Sequence, residues 1–458
     1  MTRTTRRPLG KFLGLFLGLF PRLFFVLLAG ALLAGLQACG DAGTTDRNKA
    51  QIRLVNATGS NGGYAQLALR LNDELRQGQV AYGDNALYAE VDDGSPTLTI
   101  HNQNSATALL TANTSLSKGR YYSSLAFGAV GALRQLLLDD NQGEPDANKA
   151  LLRVINAAPD SGPLDVYLTG ADESLLAAVP VQASAGYGTL GGWLTVTSTG
   201  WRLRVTAANN KNDLRLDVTG LNLASRQIGT LVLTPGSGGV LASALLLTQR
   251  GGITRVDNAQ ARVRVVAGLD GAGAVTADVG GTRVASDVAS PSVSSYALVP
   301  TVNPALALSV GGAAAPVSSV GGPSAGADLT LLVQGSTSVA AQQAGAWAPR
   351  GIWIADDNRA PRDINQVRIR LVNGLSSEQD FISMSVDFFG LGGRVASGKA
   401  SGYELTDPGT TLTLRVTREG DAAPLYTATG QTLVAGGTYS VFIVGSAAAP
   451  VAIVRRDR

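Results

Sequence analysis

A five-residue pattern, apolar-Arg-apolar-apolar and then Asn in three of its four copies, returns four times along this chain at domain-length intervals, and that recurrence limits the fold more than any other feature. It reads IRLVN at 52–56, LRVIN at 152–156, VRVVA at 263–267 and IRLVN at 369–373. Its register is marked by Arg53, Arg153, Arg264 and Arg370, which are 100, 111 and 106 residues apart. Solenoid units span roughly 20 to 50 residues, so each repeat here is a whole domain.

The clearest copy, LLRVINAAPDSGPLDVYLTG at 151–170, shows what the pattern builds. Leu152, Val154 and Asn156 alternate with Arg153 and Ile155, a Pro-Asp-Ser-Gly-Pro turn follows, and Leu164, Val166 and Leu168 alternate with Asp165 and Tyr167. This is strand, turn, strand, with one face of each strand expected to be buried. The second strand recurs as Leu67-Leu69-Leu71, Val275-Ala277-Val279 and Ile382-Met384-Val386. An aromatic residue (Tyr88, Trp193, Tyr296, Tyr403) precedes a later strand at Leu98, Leu203, Leu306 and Leu412 by 10, 10, 10 and 9 residues. Penultimate strands are expected at 121–128, 230–234, 329–335 and 439–445, and closing strands at 133–138, 241–247, 351–354 and 450–454.

About seven strands per unit of about 100 residues predict an all-β protein of tandem immunoglobulin-like β-sandwiches. The expected units are 51–140, 151–250, 261–355 and 367–458, separated by polar, turn-rich linkers at 139–150, 251–260 and 355–366. The third unit diverges most: Ala, Gly, Ser and Val dominate 268–344, which predicts a thinner core and the least stable domain.

These features together resemble the bacterial cell-surface family called domain of unknown function 4397. The R-V-I-N-A-A-P-D and L-D-V-Y-L segments of the second unit carry the resemblance, as do Gly402-Tyr403 and the T-L-T-L-R-V run through Leu412 and Val416. Units one, three and four lack the Pro-Asp turn, so there the likeness rests on strand spacing and linker style. The resemblance implies a β-sandwich repeat on the cell surface and no particular activity.

The N-terminus says where such a chain goes. Residues 1–38 combine an Arg-rich start with an apolar run at 23–36, which reads as a secretory signal. The chain's single cysteine, Cys39, follows directly after Ala38, an arrangement that resembles the lipobox of bacterial lipoproteins and implies a diacylglyceryl group on the Cys39 thiol. Residues 39–50 then form a small, polar tether. In two-membrane bacteria an Asp directly after the lipidated Cys favours inner-membrane retention; here Gly40 intervenes before Asp41, which points to the outer membrane. Arg6-Arg7 loosely resembles a twin-arginine signal, although Pro8 weakens it, and an ordinary positive n-region is the simpler reading. With one cysteine there is no disulfide, so sheet burial alone must hold each domain. The net charge of +3 comes from the leader, because removing its five basic residues leaves 32 basic against 34 acidic. Nucleic acid is therefore not an expected partner.

Little in the chain suggests chemistry. The only histidine, His101, ends a strand in TIHNQN and is expected on the surface or in a loop. The G-x-S-x-G match around Ser324 leads through a Gly/Ala loop into a strand, whereas a nucleophile elbow turns into a helix. Asp160 suits a turn and Asp165 the solvent face of a strand. Two acidic triplets, Asp139-Asp140-Asn141 and Asp356-Asp357-Asn358, follow closing strands; they read as solvated linker carboxylates or as weak calcium sites shared between domains, although the spacing of a dedicated calcium loop is absent. Of four tryptophans, Trp193 and Trp201 are expected to face inward, while Trp347 and Trp353 flank an Arg-Gly turn and are expected to be more open. The resulting expectation is a non-enzymatic, lipid-anchored envelope protein, a scaffold or adhesion surface for envelope polysaccharide or protein. The alternative is a carbohydrate-binding or carboxylate-based hydrolytic protein, since paired acids suffice for glycoside hydrolysis.

Overall fold

The computed structural model describes residues 47–458 apart from 60, 61, 104, 303 and 319. The leader 1–38, Cys39 and most of the tether lie outside the described residues. Within them the chain forms four repeated units, each a pair of β-sheets. In the first, nine strands follow in order: β1 (Ala50–Ala57), β2 (Gln66–Leu71), β3 (Glu74–Ala81), β4 (Asp84–Asn85), β5 (Ala89–Val91), β6 (Thr97–Asn102), β7 (Ala108–Asn113), β8 (Tyr121–Ala129) and β9 (Ala132–Asp139). One sheet has the order β4-β1-β8-β9, with β5 also on the edge of β1, and the other has the order β3-β2-β6-β7. The strands beyond the expected seven are edge pieces, too short to leave a period-two trace.

β1 pairs with β8 in parallel, while β5, β4 and β9 pair antiparallel. A parallel pair needs a long crossover, and the entire second sheet serves as that crossover. The same pairing joins Lys149–Asn156 to Ile228–Pro235, Gln260–Asp270 to Asp328–Ser336, and Val367–Leu375 to Thr438–Ser446. Each unit buries its own sandwich core; in the first it contains Ile52, Leu54, Leu67, Leu69, Leu98 and Ile100. The third core rests on Val and Ala as its composition predicts, but Trp353 fills part of it. Trp353 is 8% exposed, so it is not open: Arg350 and Gly351 lie within the closing strand Arg350–Asp356, not in a turn, and the alternation aims Trp353 inward.

The first strands differ from the one-faced reading. Every residue of β1 is buried, because its two faces meet two different cores. Ile52 and Leu54 face the partner sheet, whereas Val55 and Ala57 join Leu125, Phe127 and Leu138 against Ile155, Ala157, Val232, Leu245 and Leu247 of the second unit. Units one and two thus pack sheet against sheet. Units three and four do the same through Val266, Leu332, Ile354, Val372, Phe442 and Val444. Each such pair stacks four sheets, and near-continuous apolar strands are what burial on both faces requires.

The two pairs meet through the second unit's Gly-rich loop. Gly238 N donates to the Gly326 carbonyl at 2.9 Å, and Asn358 N donates to the Gly238 carbonyl at 2.9 Å. A Cβ on Gly238 would lie 2.3 Å from the Asp328 nitrogen, so only glycine permits this approach. The linkers are also more ordered than their composition suggests. Within 251–260, Ile253–Val256 is a strand that extends the second unit's sheet, and Asn258 is buried, donating to the Arg215 and Ala242 carbonyls.

Candidate functional site

The four register arginines form the most elaborate polar feature of the molecule. Each sits on the central strand of its sheet, between an aromatic residue on one side and a hydroxyl on the other. Across the parallel ladder Arg53 is opposite Ser123, Arg153 opposite Thr230, Arg264 opposite Thr330 and Arg370 opposite Ser440. The Arg Nε donates to those hydroxyls at 2.8, 2.9, 2.9 and 2.9 Å. On the other edge the chain enters a short strand directly after Tyr88, Trp193, Tyr296 or Tyr403, which sets each ring under its guanidinium at 4.6, 4.2, 4.7 and 4.7 Å. Planar guanidinium over an aromatic face is a favourable, pre-organised contact. The recurring aromatic therefore belongs to the same device as the recurring arginine.

An acid at the end of the closing strand or just past it completes three of the four arrays. Asp140 accepts from Ser123 Oγ at 2.5 Å and Tyr88 Oη at 2.7 Å. Asp356 accepts from Thr330 Oγ1 at 2.7 Å and Tyr296 Oη at 2.5 Å, and Asp457 accepts from Ser440 Oγ at 2.6 Å. In the second unit the corresponding position holds Gln249, which exchanges hydrogen bonds with Gln142 of the linker at 2.8 and 3.0 Å. Arg153 then relies on acids outside its own unit: burial pushes its pKa down, and the fields of Asp140 and Asp139 of the first unit oppose that shift.

The arrays also cross the unit boundaries. Arg53 donates to the Gly251 and Thr248 carbonyls of the second unit. Arg264 of the third unit pairs with Asp457 of the fourth, and Arg370 of the fourth pairs with Asp356 of the third, so the contact is reciprocal. Arg264 also lies 3.5 Å from Asp356. All four groups are buried: the side chains of Asp356 and Asp457 are 0% exposed and those of Arg264 and Arg370 2%. Burial pushes the Asp356 carboxyl up, yet Arg370 and Arg264, with the Tyr296 and Thr330 hydroxyls, hold it below the usual carboxylate range. Burial likewise opposes the charge on Arg264 and Arg370, and Asp356 keeps both above the ordinary arginine value. The Tyr403 phenol is pushed up to about 12, chiefly by burial.

The acidic triplets are thus committed to arginine. Asp139 pairs with Arg120 at 2.5 Å; Asn141 is held by the Tyr121 backbone and receives Arg250 at 2.9 Å. Asp357 takes Arg359 at 2.6 Å and Arg368 at 2.9 Å, which bring its carboxyl down to about 2 against the opposing effect of burial. Asn358 donates to Tyr296 Oη and Asp328 at 3.0 and 2.8 Å. The triplets are also out of step: Ser123 faces Leu138 and Thr330 faces Ile354, so Asp140, not Asp139, corresponds to Asp356. A junction shared between domains exists, as the calcium reading required, but the neighbouring domain supplies guanidinium there in place of oxygen ligands. Among the described residues no group of three or more His, Cys, Asp or Glu is placed to hold a metal.

His101 is not at the surface. It is 4% exposed, with Nδ1 3.0 Å from the Ser105 carbonyl and Nε2 2.9 Å from Thr99 Oγ1, so both ring nitrogens are occupied. Ser324 lies exposed in a loop before a strand. Asp165 is buried, accepting from the Ser184 and Asn209 nitrogens at 2.8 and 2.9 Å, so two backbone N–H groups satisfy its oxygens. Asp160 is half-buried beside Pro159, Ala360 and Pro361. Trp193 serves as the arginine platform, Trp201 leans on the second unit's core, and Trp347 stacks on Arg350 at 3.3 Å. The hydroxyls Ser123, Thr230, Thr330 and Ser440, and Asp457, were not singled out from sequence. Their signal was a Ser or Thr at the same register of every penultimate strand, followed two residues on by Leu125, Val232, Leu332 or Phe442.

No curated protein matches the chain. Among solved structures the Bacillus anthracis TIE protein is similar over 83% of this chain and 66% of its own length, at 8% identity and a TM-score of 0.14, too low to relate the two folds; the chain thus spans less than two thirds of that protein. Residues 50–167 match the family model described as Domain of unknown function (DUF4397), so the chain carries a domain of that family across its first unit and into the opening strands of its second.

Proposed function

We propose that this protein is an exported, lipid-anchored component of the cell envelope, held by a diacylglyceryl group on Cys39, whose four sandwiches act as one non-catalytic binding scaffold on the outer membrane. The observation that carries this reading is the pairing of units: apolar cores join one to two and three to four, backed by Arg53 on second-unit carbonyls in the first pair and by buried Arg-Asp contacts in the second, which holds neighbouring surfaces at fixed positions. Such a body presents extended surfaces to polysaccharide or protein without needing to move. Catalysis finds little support, since the one histidine has both nitrogens engaged. The described clefts that hold a carboxylate, around Asp270, Asp357 and Asp160, hold one each, whereas carboxylate-based glycoside hydrolysis needs a facing pair.

The test is Cys39→Ala with metabolic labelling by a palmitate analogue and membrane fractionation. The wild type is expected to take up label and sediment with membranes, and the variant to lose both. An unlabelled wild type refutes the anchor. Retention of purified envelope polysaccharide or protein by the immobilised full chain supports the scaffold; hydrolysis of that polysaccharide by the same chain overturns the non-catalytic reading.

A further inference from the structure

Further along the three-four interface from the arginine array, the same two sheets leave a cleft whose cations stand without acids. A cavity of about 440 Å³ is lined by Pro316, Val317, Arg350, Ile352, Gly398 and Lys399, with Ser318 and Ser397 at its wall, and no acid is among its lining residues. Arg350 comes from the third unit's closing strand and Lys399 from a two-residue edge strand of the fourth, Lys399–Ala400. Neither has an ion pair among the described residues; exposed Glu378 is the acid whose field reaches Arg350. Arg350 is held by Trp347, 3.3 Å from its ring centroid.

A second, independent feature lies beside it. Gln334 is the direct cross-strand neighbour of Arg350, is 0% exposed, and has neither amide atom hydrogen-bonded to a protein group. It sits behind the cavity wall: a Cβ on Gly398 would lie 3.4 Å from Gln334 Nε2 and 2.8 Å from Ile352 Cδ1. At the corresponding place in their penultimate strands the other units carry Phe127, Thr234 and Val444. A buried amide without a partner is costly to keep.

We propose that this cleft binds an anionic sugar, with Arg350 and Lys399 clamping its carboxylate or phosphate and Pro316, Val317 and Ile352 covering the apolar face of the ring. A planar arginine fixed on an aromatic suits a forked oxyanion, and the volume matches one or two sugar residues. This deepens the binding scaffold proposed above and rests on it.

The experiment is calorimetry on the detergent-extracted full chain with digalacturonate, glucose 1-phosphate and, as the uncharged control, galactobiose. At least one anionic probe is expected to bind and galactobiose not; the anion that binds identifies the group as carboxylate or phosphate. Lys399→Gln, an exposed change that leaves the fold intact, and Arg350→Gln should each weaken binding about tenfold, and 0.5 M salt should weaken it further. Gln334→Leu, which removes the unpaired amide behind the wall without touching the cleft, should raise the melting temperature and leave binding in place. Failure of both anions to bind at millimolar concentration, or undiminished binding by Lys399→Gln, overturns the site. If envelope polysaccharide is still retained by the Lys399→Gln/Arg350→Gln chain, the scaffold reading stands and only this site falls.

Discussion

Replacing Asp356 by alanine tests whether arginine, beyond apolar burial, fixes the third unit to the fourth. The carboxylate accepts from Thr330 and Tyr296 of its own unit and pairs with Arg370 of the next, with Arg264 3.5 Å away. At an effective dielectric of about 20, a charge pair at that separation attracts by roughly 5 kcal/mol. Several kcal/mol of desolvation offset this, so the intact group is worth little net, but removing one partner of a buried pair leaves an uncompensated charge and costs about 3–5 kcal/mol. Arg264 keeps Asp457, whereas Arg370 keeps only Ser440 Oγ, the Ala355 carbonyl and the Tyr403 ring. The loss therefore falls on Arg370, and the lower end, about 3 kcal/mol, is expected. Urea unfolding of the full chain, followed by tryptophan fluorescence, reads it as a fall in midpoint at constant slope if the half unfolds as one body. Hydrogen exchange should show the deprotection in Val367–Leu375 and Asp328–Ser336 together. A loss below about 1 kcal/mol, the worth of an exposed pair, would refute the reasoning.

Three further outcomes follow from the same geometry. The folded Asp357 carboxyl is lowered to about 2, so its stabilising contribution is complete above the unfolded value of about 4 and is lost as pH falls through about 2; acid titration of the melting temperature should show a drop in that window that Asp357→Ala reduces, and an identical profile in the variant counts against the Arg359 and Arg368 pairs. Mild proteolysis should cut first within 142–148, where the backbone is irregular and mostly exposed, and spare 251–260, where Ile253–Val256 is paired; the two fragments should remain associated through the Phe127–Ile155 core, and early cleavage in 251–260 would contradict the pairing. Millimolar calcium should leave the melting temperature of the full chain unchanged, because binding at either triplet has to displace arginine; a rise that Asp139→Ala/Asp140→Ala abolishes would restore the shared calcium site.

Within the chain itself, local pattern was sufficient for much of this architecture. Period-two alternation located the first, second, penultimate and closing strands of every unit, because a strand's side chains leave alternately to two faces, and the spacing of Arg53, Arg153, Arg264 and Arg370 set the repeat length. The tertiary structure decided which faces meet. Val55, Ile155 and Phe442 read as outer-face residues of isolated sandwiches, yet they pack against neighbouring units, since alternation records that a side is apolar and not what covers it. Asp140 and Asp356 read as linker acids because their arginine partners stand 87 positions back or 14 ahead, and the pairing exists only once the parallel ladder and the sheet-to-sheet docking bring them together. Ionic partners selected across such distances depend on register and packing angle, which no local window of sequence contains.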